Sequence, residues 1–124
     1  MKAVVEDAGV RSIPLSEVVA WRGIVIHPMA TPHAGVEDYS SLLEWQGLRL
    51  FLAGDTDDAA VLLGIQKLDA AYVTPSLLLA LQRKAGAVDT GLLISYHHEA
   101  CDPMPNFRGR LVPKLGERLR IAQE

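Results

Sequence analysis

Leu48-Arg49-Leu50-Phe51-Leu52 alternates with period two and runs directly into Ala53-Gly54-Asp55-Thr56, after which the apolar spacing turns helical. A strand that ends this way sets a carboxylate on the rim of a sheet, with buried hydrocarbon behind it. Leu48, Leu50 and Leu52 share one face, and Arg49 and Phe51 the other, so the strand is expected inside a sheet rather than at its edge. The rest of the chain has to be arranged around that segment.

Upstream, Val18–Trp21 and Ile24–His27 flank Arg22-Gly23, a two-residue connection of hairpin type. Pro28 cannot donate to a strand ladder, so the second strand is expected to stop there, and residues 28–38 to form a loop carrying His33. Tyr39–Trp45 and Leu48–Leu52, joined by Gln46-Gly47, read as a second hairpin. A short strand is expected at Val10–Ile13, before Pro14.

Downstream, Ala59, Ala60, Leu63 and Ile65–Leu68 fit a helix of about three turns, capped near Thr56 or Asp57. Asp69–Val73 reads as a buried strand. Pro75 suits the first position of a further helix with Leu77, Leu78, Leu81 and Ala85 as its stripe and Gly86 as its stop. Leu92–Tyr96 is a strand, residues 100–110 a loop, and Arg118–Ile121 a terminal strand. Two hairpins followed by strand–helix–strand–helix–strand predict one α/β (α+β) domain over 1–124, a mixed sheet with helices on one face.

Composition narrows the function classes. A net charge of -3 without a basic patch argues against a nucleic-acid partner. No apolar run reaches the roughly 20 residues that cross a bilayer. Met1–Asp7 lacks a signal-peptide core, and the single cysteine, Cys101, suits a reducing compartment, so a cytoplasmic protein is expected. No basic neighbour marks Cys101 as a reactive thiol.

Few residues carry chemistry. Asp55 is either a helix-capping acid or a metal-ligating carboxylate at a strand's end. His27 continues a strand and reads as a hydrogen-bonded edge residue, whereas His33 sits among prolines and small residues. His97 and His98 are adjacent, so in extended chain only one of them faces a site shared with Asp55. Imidazole and carboxylate are ligands that zinc, iron and manganese accept.

From Gly23 to His98 the chain resembles the C-terminal half of a metallo-β-lactamase-fold protein of the lactonase-like, metal-dependent hydrolase branch. The segments that carry the likeness are Ile24–His33, Leu50–Thr56 with its Gly-Asp-Thr, Leu68–Pro75 and Leu93–His97. The tail Leu115–Ile121 is similar to that family's last strand. The resemblance implies half of an αββα sandwich, with Asp55 as a bridging metal carboxylate and His97 as the last metal histidine. His33 then matches the histidine of the loop before the Gly-Asp-Thr hairpin. Zinc, manganese or iron is the implied metal.

The family's central His-x-His-x-Asp-His motif occurs nowhere in the 124 residues, and Ser95 replaces the usual proline before the final histidine. A catalytic zinc takes three protein ligands and a water, so Asp55, His97 and His33 make an incomplete set. Half of a two-sheet sandwich also leaves one sheet face bare, which a second copy, an N-terminal-half partner or a locally rearranged helix would cover, a two-fold homodimer being the commonest solution. The expected protein is therefore a truncated or degenerate, dimeric binding or structural module with little or no hydrolase activity. The alternative is a metal-dependent hydrolase of esters, lactones or phosphoesters completed by another chain.

Overall fold

The computed structural model describes residues 16–81, 84, 87–96 and 118–122. Seven strands form one sheet in the order in which they occur along the chain. They are β1 Val19–Trp21, β2 Ile24–His33, β3 Val36–Trp45, β4 Leu48–Leu52, β5 Leu68–Val73, β6 Thr90–Ser95 and β7 Leu119–Ile121. Helix α1, Ala59–Leu63, links β4 to β5, and α2, Pro75–Ala80, lies between β5 and β6. Strands β1 to β4 pair antiparallel; β4 to β7 pair parallel. This is the mixed sheet expected from the sequence. The expected strand at Val10–Ile13, the stop at Gly86 and the loop at 100–110 lie outside the described residues.

Three turns build the antiparallel half. Arg22-Gly23, Ala34-Gly35 and Gln46-Gly47 all have positive φ at both residues, from 45° to 82°. That is the twist-matched connection for two-residue hairpins, and glycine reaches it without steric cost. The turn at Ala34-Gly35 corrects one expectation. Residues 28–38 are not a loop: β2 continues through Pro28 and Pro32 to His33, and β3 starts at Val36. The prolines are tolerated because β1 pairs only as far as Val19↔Ile26. Beyond Ile26, β2 has β3 as its sole partner among the described residues, so a proline nitrogen can face the unpaired side.

The helices also differ in detail. α1 spans five residues rather than three turns, because Gly64 closes it and Lys67 turns left-handed at φ 55° before β5 begins. Its cap is Asp58, not Thr56 or Asp57: Asp58 Oδ1 accepts from Ala60 N–H at 3.0 Å. In α2 Pro75 occupies the first turn as expected, behind the N-cap Thr74, whose side chain accepts from Leu77 N–H.

Ladder registers separate two faces. Leu42, Phe51, Ala71, Leu93 and Leu119 are successive partners across β3 to β7 on the helix side. With Leu62, Leu77, Leu78 and Leu81 from α1, α2 and the residue after α2, most of this row forms the core; Leu42 packs against it half-buried. On the opposite face, Trp21, Ile24, Trp45 and Leu48 line up across β1 to β4. Ile26, Leu43, Leu50, Ala70 and Leu92 form the next row. No helix among the described residues is long and apolar enough to cross a membrane.

Candidate functional site

Parallel strands β4, β5 and β6 all end on the same side of the sheet, and Asp55, Thr74 and Tyr96 follow them there. Open α/β sheets bind ligands outside the carboxyl ends of such strands. β3 is longer than β4 and pairs with it only up to Ser41↔Leu52, so Val36–Ser40 extends past the end of β4. The β2–β3 hairpin therefore leans over the Gly54-Asp55 turn.

The contact between hairpin and turn is close. Thr31 Oγ1 donates to Asp38 Oδ2 at 3.1 Å and lies 3.2 Å from Ser40 Oγ. Ser40 Oγ in turn accepts from Gly54 N–H at 3.1 Å. Thr31 and Ser40 are buried, which is possible because each of these hydroxyls has a partner. Gly54 has no room for a side chain: a Cβ there would lie 2.4 Å from Asp38 Oδ2 and 2.5 Å from the Tyr39 carbonyl oxygen. Glycine in this turn is thus a packing requirement set by a different strand.

Asp55 is exposed beyond this contact and does not cap α1. Asp55→Ala is therefore expected to leave metal-free stability within about 0.5 kcal/mol. Asp58→Ala should cost about 1 kcal/mol. Paired urea titrations of the two variants check this.

Tyr96 closes the other side. Its hydroxyl donates to the Ala53 carbonyl, and its ring meets Tyr72 edge to face at a centroid distance of 6.5 Å. Partial burial raises the phenol pKa, and the charges of Asp55 and then Asp38 raise it further. The two carboxylates and the phenol therefore share one neighbourhood. The sign follows from linkage: a raised folded-state pKa gives stability that is complete below the ordinary value of 10.0 and is lost as pH climbs through the higher folded value. An alkaline denaturation series should show this loss in the wild type and a smaller one in Tyr96→Phe.

Of the sequence-derived metal residues, Asp55 sits at the carboxyl ends of the parallel strands. His33 is the last residue of β2 and not a loop residue; it shares a face with Thr31 and, across the ladder, with Asp38. Its Nδ1 is buried and lacks a hydrogen-bond partner. His97 and Cys101 lie outside the described residues. His27 is not at this end: its Nε2 stands 3.4 Å from Glu44 Oε2, and Glu44 Oε1 stands 3.5 Å from Arg49 Nε. Among the described residues, no three His, Cys, Asp or Glu side chains group closely enough to hold a metal, so these donors alone do not fit one. Sequence reasoning missed Thr31, Asp38, Ser40 and Tyr96. The 12-residue spacing of the three X-Gly turns is the signal that places Asp38 on a strand opposite the Gly54 turn.

No protein-family model matches the sequence, and neither does any curated protein. Solved structures do. The metallo-beta-lactamase fold protein YhfI from Bacillus subtilis superposes with a TM-score of 0.72 at 14% identity, over 98% of this chain and 60% of that one. The chain adopts part of the metallo-β-lactamase fold. A candidate metal-dependent hydrolase from Parabacteroides distasonis gives a TM-score of 0.64 at 17% identity, covering 98% of this chain and 61% of its own. The chain thus spans about three-fifths of the length of the metallo-β-lactamase-fold structures it matches.

Proposed function

We propose that this chain is a binding or structural module of the metallo-β-lactamase fold, completed through its open sheet face and with little hydrolase activity of its own. The observation that carries the reading is the face opposite the helices. Trp21, Trp45, Leu48 and Leu52 remain 58%, 41%, 42% and 39% exposed there. A contiguous apolar face of this kind marks an interaction surface. The greater length of the matched structures supports the same reading, since the fold has further chain to place. A single cysteine and a net charge of -3 fit a cytoplasmic setting without nucleic acid.

The second reading, a metal-dependent hydrolase completed by another polypeptide, is favoured by Asp55 and Asp38 standing at the carboxyl ends of parallel strands. In it Asp55, His33 and His97 hold part of a zinc, manganese or iron site, and a small-molecule ester, lactone or phosphoester binds over the strand ends. Metal content of protein purified without chelator or added metal separates the two. The module reading expects far less than one equivalent of metal and negligible turnover of lactone, ester and phosphoester substrates. Near-stoichiometric metal that disappears in Asp55→Ala would overturn it.

A further inference from the structure

We infer that the Gly54-Asp55 turn is locked in place without a metal. Thr31, Asp38 and Ser40 of the β2–β3 hairpin make the tie between strand ends that the resemblance assigns to a metal ion on Asp55. This rests on the module reading above and says how its strand ends are held.

β4 ends at Leu52, so the backbone of Ala53 and Gly54 has to find partners beyond the β3–β4 ladder. It finds them on three other segments. Ala53 N–H donates to the Tyr72 carbonyl at 2.9 Å, and the Ala53 carbonyl accepts from the Tyr96 hydroxyl. Gly54 N–H donates to Ser40 Oγ at 3.1 Å. Past the turn, Thr56 Oγ1 accepts from Asp58 N–H at 3.1 Å. Backbone paired in this way keeps its conformation with no ligand to complete it.

Asp38 is committed to the same contact. Its Oδ2 accepts from Thr31 Oγ1, and both oxygens pack onto Gly54, where a Cβ would stand 2.4 Å and 2.6 Å from them. Thr31 Oγ1 also meets Ser40 Oγ, so carboxylate and two hydroxyls run as one hydrogen-bonded chain from the hairpin into the turn. Thr31 is 2% exposed and Ser40 0%, and away from water each of these bonds is stronger. A carboxylate pressed onto glycine and tied to its own hairpin fills the gap between hairpin and turn. It does not reach out to a ligand.

The remaining donors do not complete a metal site. Zinc takes three protein ligands. His33 shares the face of Thr31 and Asp38, and its Nδ1 is buried and unpartnered. Among the described residues, however, no two further His, Cys, Asp or Glu side chains stand close enough to join it around an ion. Asp55 is exposed beyond the lock and takes no part in it.

Thermal unfolding of the full chain, stripped with chelator and scanned alone, with Zn²⁺ or with Mn²⁺, tests the inference. The expected midpoint is the same in all three. Ser40→Ala and Thr31→Val should each lower it by about 5 °C, with or without metal, because each leaves a buried partner unpaired. Thr31→Ser keeps the hydroxyl and Asp38→Asn keeps the accepting oxygen, so both should stay near the wild-type midpoint. These two carry the test if the first pair fails to fold. A midpoint that Zn²⁺ or Mn²⁺ raises in the wild type, but not in Asp55→Ala or Asp38→Asn, would overturn the lock. The module reading would survive that result, since it stands on metal content as purified and on turnover. Near-stoichiometric metal in the purified protein, absent from Asp55→Ala and removed by chelator without moving the midpoint, would overturn the module reading and leave the lock standing. If Ser40→Ala and Thr31→Val unfold with the wild type, or Thr31→Ser and Asp38→Asn fall by about 5 °C, the lock is overturned.

Discussion

Gly54→Ala is expected to destabilise the chain by about 3 kcal/mol, read as a drop in urea midpoint without a change of slope. The new methyl group would stand 2.4 Å and 2.6 Å from the two Asp38 carboxylate oxygens and 2.5 Å from the Tyr39 carbonyl. Asp38 can rotate away at the cost of its hydrogen bond from Thr31, but the Tyr39 carbonyl belongs to the backbone of β3 and cannot. Adding Asp38→Ala should therefore recover only part of the loss. Gly64→Ala is the control: its nearest outside atom is the Ala60 carbonyl oxygen at 3.4 Å, and φ is -79°, so the change should be neutral or slightly stabilising. The substitution at Gly54 also displaces Asp55 from Asp38 and Tyr96. Site and stability are thus joined at one residue.

Phe51→Ala should cost about 3–5 kcal/mol, the largest effect expected of a single truncation here. Phe51 is fully buried in the row that crosses the sheet through Leu42, Ala71 and Leu93, beneath the leucines of α1 and α2. Its removal leaves a cavity that four strands and two short helices cannot collapse to fill. Leu52→Ala, one residue on, removes a side chain that is 39% exposed on the other face. Its effect on the folded chain should stay below about 1 kcal/mol. Because any self-association would add to apparent stability by mass action, both titrations need one fixed, low protein concentration. The two neighbours test the two faces separately.

Much of the fold was legible because local rules act over a few residues. The X-Gly pairs at Arg22-Gly23 and Gln46-Gly47 specify twist-matched hairpins, and β4 shows its two faces by alternation. Pro75 marks the start of α2 from its own chemistry. The fold resemblance also followed from the order of these elements around Gly-Asp-Thr, and the superposed structures bear it out.

Other features were not local. Pro28 and Pro32 forbid a two-sided strand but not a one-sided one, and only the short reach of β1 decides which applies. The cap of α1 moved to Asp58 because Thr56 is buried, accepting from Asp58 N–H at 3.1 Å. Three acids in four residues cannot be ranked as caps without that contact. Asp38 was invisible as a site residue because it meets Gly54 across a ladder, 16 positions away along the chain, through a hairpin that looked like a loop.

The sequence by itself determined that Leu48–Leu52 is an interior strand and that Gly-Asp-Thr turns the chain at its end, since alternation and glycine act within a few bonds. Only the tertiary structure decided why that glycine is needed and what stands beside Asp55: the β2–β3 hairpin overreaches β4 and brings Asp38, Thr31 and Ser40 onto the turn. Register between distant strands is set by the packing of whole faces, and no short stretch of sequence contains it.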